Sequence, residues 1–335
     1  MRGALQNLGQ TCAINSLVQI IAHSARLREA IMDGSSQAYC KADGKIMREL
    51  ADVIDKIYAQ RQHTSPGGLV GAMFRLFPHD LVPGEQHDIC ELWMLLSSRL
   101  ADEMGAGHTV NVTPICTASA HIHAKVLKLI ESMYSKSWSP WLERILGVEL
   151  SIVQCNACKD QPWSPEVFTI LPLNMSGNAG DGCDGEVTIE QLLLQHFEIE
   201  ELTDWSCDKC KCKGGKKQNK LYSLPPVLMV SIKRFRMSRT SGRFSKVHTP
   251  VTISDQLKFE IGGSMKIYML RGVGNHYGSY NFGHYTACVY DRDRDRDIND
   301  EGAWFCYDDA NVAVIPDCNF LRNNRDAYIL CYELF

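Results

Sequence analysis

Residues 5–17 read LQNLGQTCAINSL. The stretch sets Cys12 between a polar, glycine-containing turn and the apolar-periodic run that follows. A thiol at the start of a helix sits at the positive end of the helix dipole, which favours thiolate and draws the pKa from about 8.5 toward roughly 3.5–7.5. Asn15 and Ser16 are the expected capping residues. The turn from Asn7 to Thr11 offers backbone N–H groups and a side-chain amide to a developing oxyanion. Taken alone, the same cysteine reads as a small buried hydrophobe, so the rest of the chain decides.

The chain has 335 residues, 45% apolar and 22% charged, with a net charge of −4. Length and composition give an ordinary globular protein with ample core. The acidic balance and the lack of a basic stripe argue against nucleic acid as a partner. No charged-plus-apolar leader opens the sequence, and no run approaches the roughly 18 apolar residues of a membrane span. The expectation is a soluble intracellular protein, cytoplasmic or nuclear. Fourteen cysteines in such a setting point to metal or catalytic roles rather than disulfides.

Apolar residues recur at helical spacing over 15–33, 44–60, 85–104 and 122–146, with a short helix after "HTSPGGL" (63–69) and Pro140 re-aiming the last segment. The period then changes. "VELSIVQ" (148–154), "EVFTILPL" (166–173) and "VLMVSIK" (227–233) are strand-like, with one short helix near 188–199. Strands follow at 266–273, 284–291, 303–309, 312–315 and 327–333. Helices first and mainly antiparallel strands later make an α+β fold. "DRDRDRDINDE" (291–301) reads as a solvated hairpin loop, and "KCKGGKKQNK" (211–220) as an exposed hairpin tip.

Three constellations carry chemistry. "HYGSYNFGHYTACVYD" (276–291) places His276 at the end of one strand and His284 at the start of the next, a fixed imidazole beside a loop of small residues. "WFCYDDANV" (304–312) ends a strand on Asp308 and Asp309, where a carboxylate can fix the tautomer of an imidazole on the adjacent strand. Turn formation is the bland alternative for that Asp-Asp pair. Cys155, Cys158, Cys207 and Cys210 form two CxxC pairs with 48 residues between them, the spacing of a tetrahedral thiolate site for one structural zinc ion, with Cys212 as a competing ligand.

In order and spacing these motifs resemble the catalytic domain of the ubiquitin-specific proteases, a papain-like cysteine deubiquitinase family. "LQNLGQTCAINSL" resembles its cysteine box, "QHDICEL" (86–92) its glutamine-rich helix motif, and "SIVQCNACKDQPWSPEVFTILPL" (151–173) its first zinc knuckle. "LPPVLMVSIKRF" (224–235) is similar to its palm strand, and the His284 and Asp308 segments to its histidine box. The resemblance spans essentially the whole chain, as one catalytic domain. It implies a helical thumb over about 1–146, zinc-stapled fingers over about 147–222 and a palm over about 223–335.

The resemblance also implies roles. Cys12 is the nucleophile, His284 the general base, Asp308 the third member of the triad and Asn7 the oxyanion-hole amide. Asp88 and Glu91 hold the arginine-bearing tail of ubiquitin, and Phe235, His276 and Tyr285 line its narrow channel. One structural zinc and no catalytic cofactor are implied, with ubiquitin and ubiquitinated proteins as partners. Departures from the family pattern at Gln10, Ala13, Cys90 and Leu92 leave room for another ubiquitin-like modifier. An inactive ubiquitin-binding module, or an acyltransferase with the same Cys-His-Asp logic, are the rival readings.

Overall fold

Ser24 decides how the first helical run folds. Its extended backbone (ψ 114°) breaks the run into α1 (Cys12–His23) and α2 (Ala25–Met32), and its hydroxyl accepts from Leu27 N–H at the new N-terminus. The expectation of one helix over 15–33 is therefore corrected, because the Ser24 hydroxyl also donates to Glu333 at 2.5 Å and ties the break to the far end of the chain. The structure, a computed structural model, describes residues 3–33, 44–105, 112, 114, 120–175, 187–237, 242, 244–261, 264–280, 282–291 and 302–335. The remaining helices are α3 (Lys45–Ile54, continued by a π turn over Asp55–Ala59), α4 (Gly67–Leu76), α5 (Ile89–Met104), α6 (Ala120–Tyr134), α7 (Pro140–Ile145) and α8 (Ile189–His196). Helix α5 starts later than its apolar period predicts, because Asp88 caps it by accepting from the N–H groups of Cys90 and Glu91. Pro140 stands at the first position of α7, where its missing N–H costs nothing.

The strands, in chain order, are β1 (Gly147–Cys155), β2 (Trp163–Phe168), β3 (Leu171–Asn174), β4 (Val187–Thr188), β5 (Glu200–Ser206), β6 (Lys213–Ser223), β7 (Val227–Lys233), β8 (Phe235–Met237), β9 (Phe244–Lys246), β10 (Val251–Thr252), β11 (Gln256–Ile261), β12 (Ser264–Gly278), β13 (Gly283–Asp291), β14 (Ala303–Asp308), β15 (Asn311–Ile315) and β16 (Ala327–Leu334). Among the described residues, the main sheet runs β15-β14-β13-β12-β16-β7-β3, with β11 paired to β12, and a second sheet runs β2-β1-β6-β5. "EVFTILPL" is thus not one strand. It turns at Thr169–Ile170 and contributes β2 to one sheet and β3 to the other. "KCKGGKKQNK" is not a hairpin tip either, since from Lys213 onward it forms β6, paired on both sides by β1 and β5. Gly215 there lies so close to the Trp205 ring and the Gln154 carbonyl that a Cβ would collide with both. Residues 292–301 of the sign-alternating segment lie outside the described residues.

Burial follows the period of two along each strand. In β7, Val227 and Met229 join the core beneath the helices, whereas Leu228, Val230 and Ile232 pack on the opposite face with Leu171, Leu192 and Leu330. A sheet covered on both faces explains why "VLMVSIK" is apolar without alternation. Helix α1 is buried along its whole length and packs on β13 and β12. Trp93 of α5, fully buried against Trp141, donates its indole N–H to Thr169 O at 3.0 Å. No described helix is long and apolar enough to cross a membrane.

Candidate active site

Cys12 is the first residue of α1, and the residue capping it is Thr11, not Asn15 or Ser16. Those two lie inside the helix and are buried, because the chain turns helical three residues sooner than their composition suggests. The Cys12 sulfur meets the backbone N–H groups of Cys12, Ala13 and Tyr285, all of which favour thiolate. Burial outweighs them. With 4% of its surface exposed, and with the Asp309 carboxylate nearby, the thiol is pushed above its ordinary range. The helix-dipole expectation of a lowered pKa is therefore corrected for this state of the protein, since desolvation by the surrounding sheet is the larger effect.

The two adjacent aspartates divide. Asp308 Oδ1 lies 2.6 Å from His284 Nε2, across the β13–β14 hairpin that carries both residues. Asp309 follows in the left-handed region (φ 52°), which swings its carboxylate away from the strand. Its Oδ2 accepts from Asn7 Nδ2 and its Oδ1 from Asn15 Nδ2, both at 2.8 Å. Asn7 is held from its other side as well, because its Oδ1 accepts from the N–H groups of Gly9 (2.9 Å) and Thr11 (3.3 Å). One carboxylate thus orients the imidazole and the other orients the amide that precedes the cysteine. Among the described residues, no hydrogen bond joins Cys12 Sγ to His284, so thiol and imidazole are adjacent in the fold but not paired.

A cavity of about 510 Å³ opens beside this group. Asp88, Glu91, Phe235, His276 and Tyr285, the five residues singled out for substrate, all line it, together with Gln86, His87, Lys233, Tyr280 and Tyr328. Tyr285 connects cavity to thiol, with its ring in the wall and its backbone N–H on the Cys12 sulfur. The wall is aromatic and interlocked. Phe235 meets His276, Tyr280 and Tyr328 edge-on, with ring centroids 5.4–5.7 Å apart. Asp88 uses one oxygen as the helix cap and accepts from Tyr328 OH with the other at 2.6 Å, so it is a structural anchor of the wall as much as a binding group. Glu91 is exposed at the first turn of α5.

His276 lies opposite Tyr285 in the β12–β13 ladder, buried, with its Nδ1 unpaired. Burial, seconded by Lys246, lowers its pKa to about 4, so the ring is neutral. Gly283 permits this placement, for a Cβ there would collide with His276 Nε2. Sequence reasoning missed Gln86, whose amide forms a reciprocal pair with the Gly283 backbone, accepting from N–H at 2.6 Å and donating to O at 2.5 Å. It missed Tyr328 and Lys233 too. An amide directly before the acidic helix cap was the available signal for Gln86. The other two sit on apolar strands that read as core.

At the far end of the second sheet, Cys155, Cys158, Cys207 and Cys210 bring their Sγ atoms within 4.8 Å of one another. Cys155 and Cys210 are 3.6 Å apart, and Cys158 and Cys207 are 3.7 Å apart. Four thiolates around a tetrahedral zinc at about 2.3 Å are separated by roughly 3.8 Å, so the donor set fits that ion. Cys212 lies outside the four, its thiol 3.7 Å from Cys210 O and exposed.

The sequence model of the family described as "Ubiquitin carboxyl-terminal hydrolase" matches residues 4–332. Probable ubiquitin carboxyl-terminal hydrolase 8 of Schizosaccharomyces pombe is 24% identical over 99% of this chain and 65% of its own length. Ubiquitin carboxyl-terminal hydrolase 21 of Bos taurus is 25% identical over 98% of this chain and 61% of its own, and ubiquitin carboxyl-terminal hydrolase 4 of Arabidopsis thaliana is 25% identical over 98% and 92%. The chain therefore spans less than two-thirds of the first two of these relatives. Among solved structures, the SAGA DUB module of Ubp8, Sgf11, Sus1 and Sgf73 bound to monoubiquitin aligns with TM-score 0.74 at 20% identity, over 99% of this chain and 69% of that one.

Proposed function

The chain belongs to the ubiquitin carboxyl-terminal hydrolase family, and on that premise we propose that it is a thiol protease cleaving the bond after the C-terminal glycine of ubiquitin. One observation carries the reading. An aromatic-walled cavity lined also by Asp88 and Glu91 includes Tyr285, whose backbone N–H lies on the Cys12 sulfur. Such a passage suits an extended tail with basic residues outside and side-chain-free glycines at the thiol.

Cys12 gives up its proton to His284 and its sulfur attacks the glycine carbonyl, while Asn7 and the α1 N-terminal N–H groups face the oxyanion. The C–N bond then breaks as His284 returns the proton to the departing amine, leaving a thioester. Water, deprotonated by His284, attacks that thioester, and the carboxylic acid leaves as the thiol re-forms. Asp308 holds the imidazole and supports its cation throughout. Zinc on Cys155, Cys158, Cys207 and Cys210 supplies structure only, stapling β1 to the β5–β6 connection. Ubiquitinated proteins are the proposed partners, and the cytoplasm or nucleus the proposed location.

The burial that pushes the Cys12 thiol up is the observation that favours an inactive ubiquitin-binding module. Ubiquitin carrying a C-terminal thiol-reactive group decides between the two. We expect it to label the chain, and Cys12→Ala to abolish labelling. Reversible binding without labelling identifies the binding module, and labelling only by another ubiquitin-like protein moves the substrate to that modifier.

A further inference from the structure

Cys288 in β13 and Cys306 in β14 stand directly opposite one another in the antiparallel ladder. Opposed Cα atoms in such a ladder lie about 4.5 or 5.5 Å apart, and a disulfide accommodates about 4.4–6.8 Å. Both side chains belong to the same face, within the core on the side of the sheet away from α1, and each thiol shifts the titration of the other. Cys288 is buried and Cys306 half-buried, so a small oxidant reaches one sulfur and finds its partner already in contact. Cys288 holds the Cys306 thiol down at about 7, and the same interaction with burial pushes Cys288 itself far up, so Cys306 is the thiolate of the pair and Cys288 its proton donor. Asn275 Nδ2 donates to Cys288 Sγ at 3.4 Å and fixes that sulfur beside its partner strand.

We propose that Cys288 and Cys306 are a reversible oxidation site, closed to a disulfide by a hydroperoxide, and that the bridge lowers turnover at the site proposed above. In the first step the Cys306 thiolate attacks the peroxide oxygen, the O–O bond breaks, and hydroxide leaves as the sulfenic acid forms. The Cys288 thiol then attacks that sulfur and water leaves. Two thiols lose two electrons and two protons, and one hydrogen peroxide becomes two waters.

The consequence for catalysis follows from position. Cys288 lies four residues after His284, and Cys306 lies two before Asp308, on the two strands of one hairpin. In the mechanism proposed above His284 exchanges a proton with the Cys12 sulfur, and a covalent tie across the hairpin restricts the adjustment of that imidazole. Misplacing a reacting group by about 1 Å can cost on the order of a hundredfold, so about a tenfold loss is expected from the restriction.

The site is tested first without activity. Cys12→Ala protein is treated with hydrogen peroxide, quenched, alkylated and digested. A peptide pair linking Cys288 to Cys306, absent after dithiothreitol and absent in Cys306→Ser, is expected. Full alkylation of both cysteines, or their over-oxidation without a link, overturns the proposal whatever the substrate proves to be. Turnover is then compared between the parent and the Cys306→Ser and Cys288→Ala variants at equal peroxide dose, which exposes Cys12 equally in all three. The parent should show about a tenfold larger dithiothreitol-reversible loss. Equal losses in all three proteins, or a linked chain as active as the reduced one, refute the switch.

Discussion

Replacing Asp308 by alanine should separate activity from stability almost completely. The His284–Asp308 pair is short, at 2.6 Å, but 40% and 54% of the two side chains is exposed. Exposed ion pairs contribute less than about 1 kcal/mol to folding. Orientation of the imidazole is another matter, for losing the orienting carboxylate of a triad costs on the order of 10³–10⁴ in turnover, roughly 4–5.5 kcal/mol of barrier. Asp309→Ala should behave in the opposite sense. It deprives two amides of a carboxylate acceptor, one of them on Asn15, which is 2% exposed. That loss is about 3 kcal/mol. With an unfolding entropy near 2.1 cal/mol/K per residue over 335 residues, it lowers the melting temperature by about 4 °C. Turnover should fall by about 10², through the loosened Asn7 amide. The assay is hydrolysis of ubiquitin with a C-terminal fluorogenic amide at saturating substrate, with a melting curve for each variant. If Asp309→Ala is inactive at an unchanged melting temperature while Asp308→Ala stays within about tenfold of the parent, the assigned roles are reversed and the reasoning fails.

Purified protein should contain close to one zinc per chain by metal analysis, and Cys207→Ser should lose most of it and unfold the second sheet at lower temperature. His276 titrates near 4 when folded and near 6.5 when unfolded, so the unfolded chain takes up the proton first as pH falls. The stability His276 contributes is complete above pH 6.5 and is lost progressively toward pH 4, and melting curves of His276→Gln should be flatter over that window. Arg234 is fully buried, with its guanidinium donating to the carbonyls of Ala327, Val247, Thr249 and Asn324. Arg234→Met should therefore cost at least about 3 kcal/mol in denaturant melts, by removing the guanidinium bonds to all four carbonyls, of which Asn324 O keeps a second donor in Val251 N–H. Raising pH should increase the rate of Cys12 alkylation, because burial and Asp309 hold that thiol high. Asp309→Asn should shift the alkylation profile to lower pH.

Strongly patterned segments were legible in the sequence, and those governed by tertiary contacts were not. "VLMVSIK" reads as a buried strand and is one, at the bounds its composition sets, because both faces of it are covered. The break at Ser24 was hidden, since the hydroxyl that caps α2 is held by Glu333, 309 residues away. The lysine-rich stretch after Cys212 looks solvated by composition, yet β1 and β5 enclose it, and only the pairing partners reveal this. Cysteine spacing anticipated the four-sulfur cluster because a tetrahedral site imposes local geometry on each CxxC pair. The division of labour between Asp308 and Asp309 turned on a left-handed φ at the second residue, which no period or propensity encodes. Cys12 shows the same limit in electrostatics. Helix position is visible in the sequence, but the enclosing sheet that reverses its effect is not.

Strand β16, residues 327–334, lies in the interior of the main sheet between β12 and β7, although it is the last strand in chain order. Cys12 lies on the first helix. During synthesis at roughly 5–20 residues per second, about 15–60 s separate the emergence of that thiol from the arrival of the strand that closes the sheet. Until then β12 lacks one neighbour, β7 pairs with β3 alone, and Glu333 is not there to hold Ser24. A chain stopped early thus carries the reactive residue but not its surroundings. Synthesis of residues 327–334 becomes the event that completes the sheet on which α1 packs, so the surroundings of Cys12 stay unfinished until that strand has emerged.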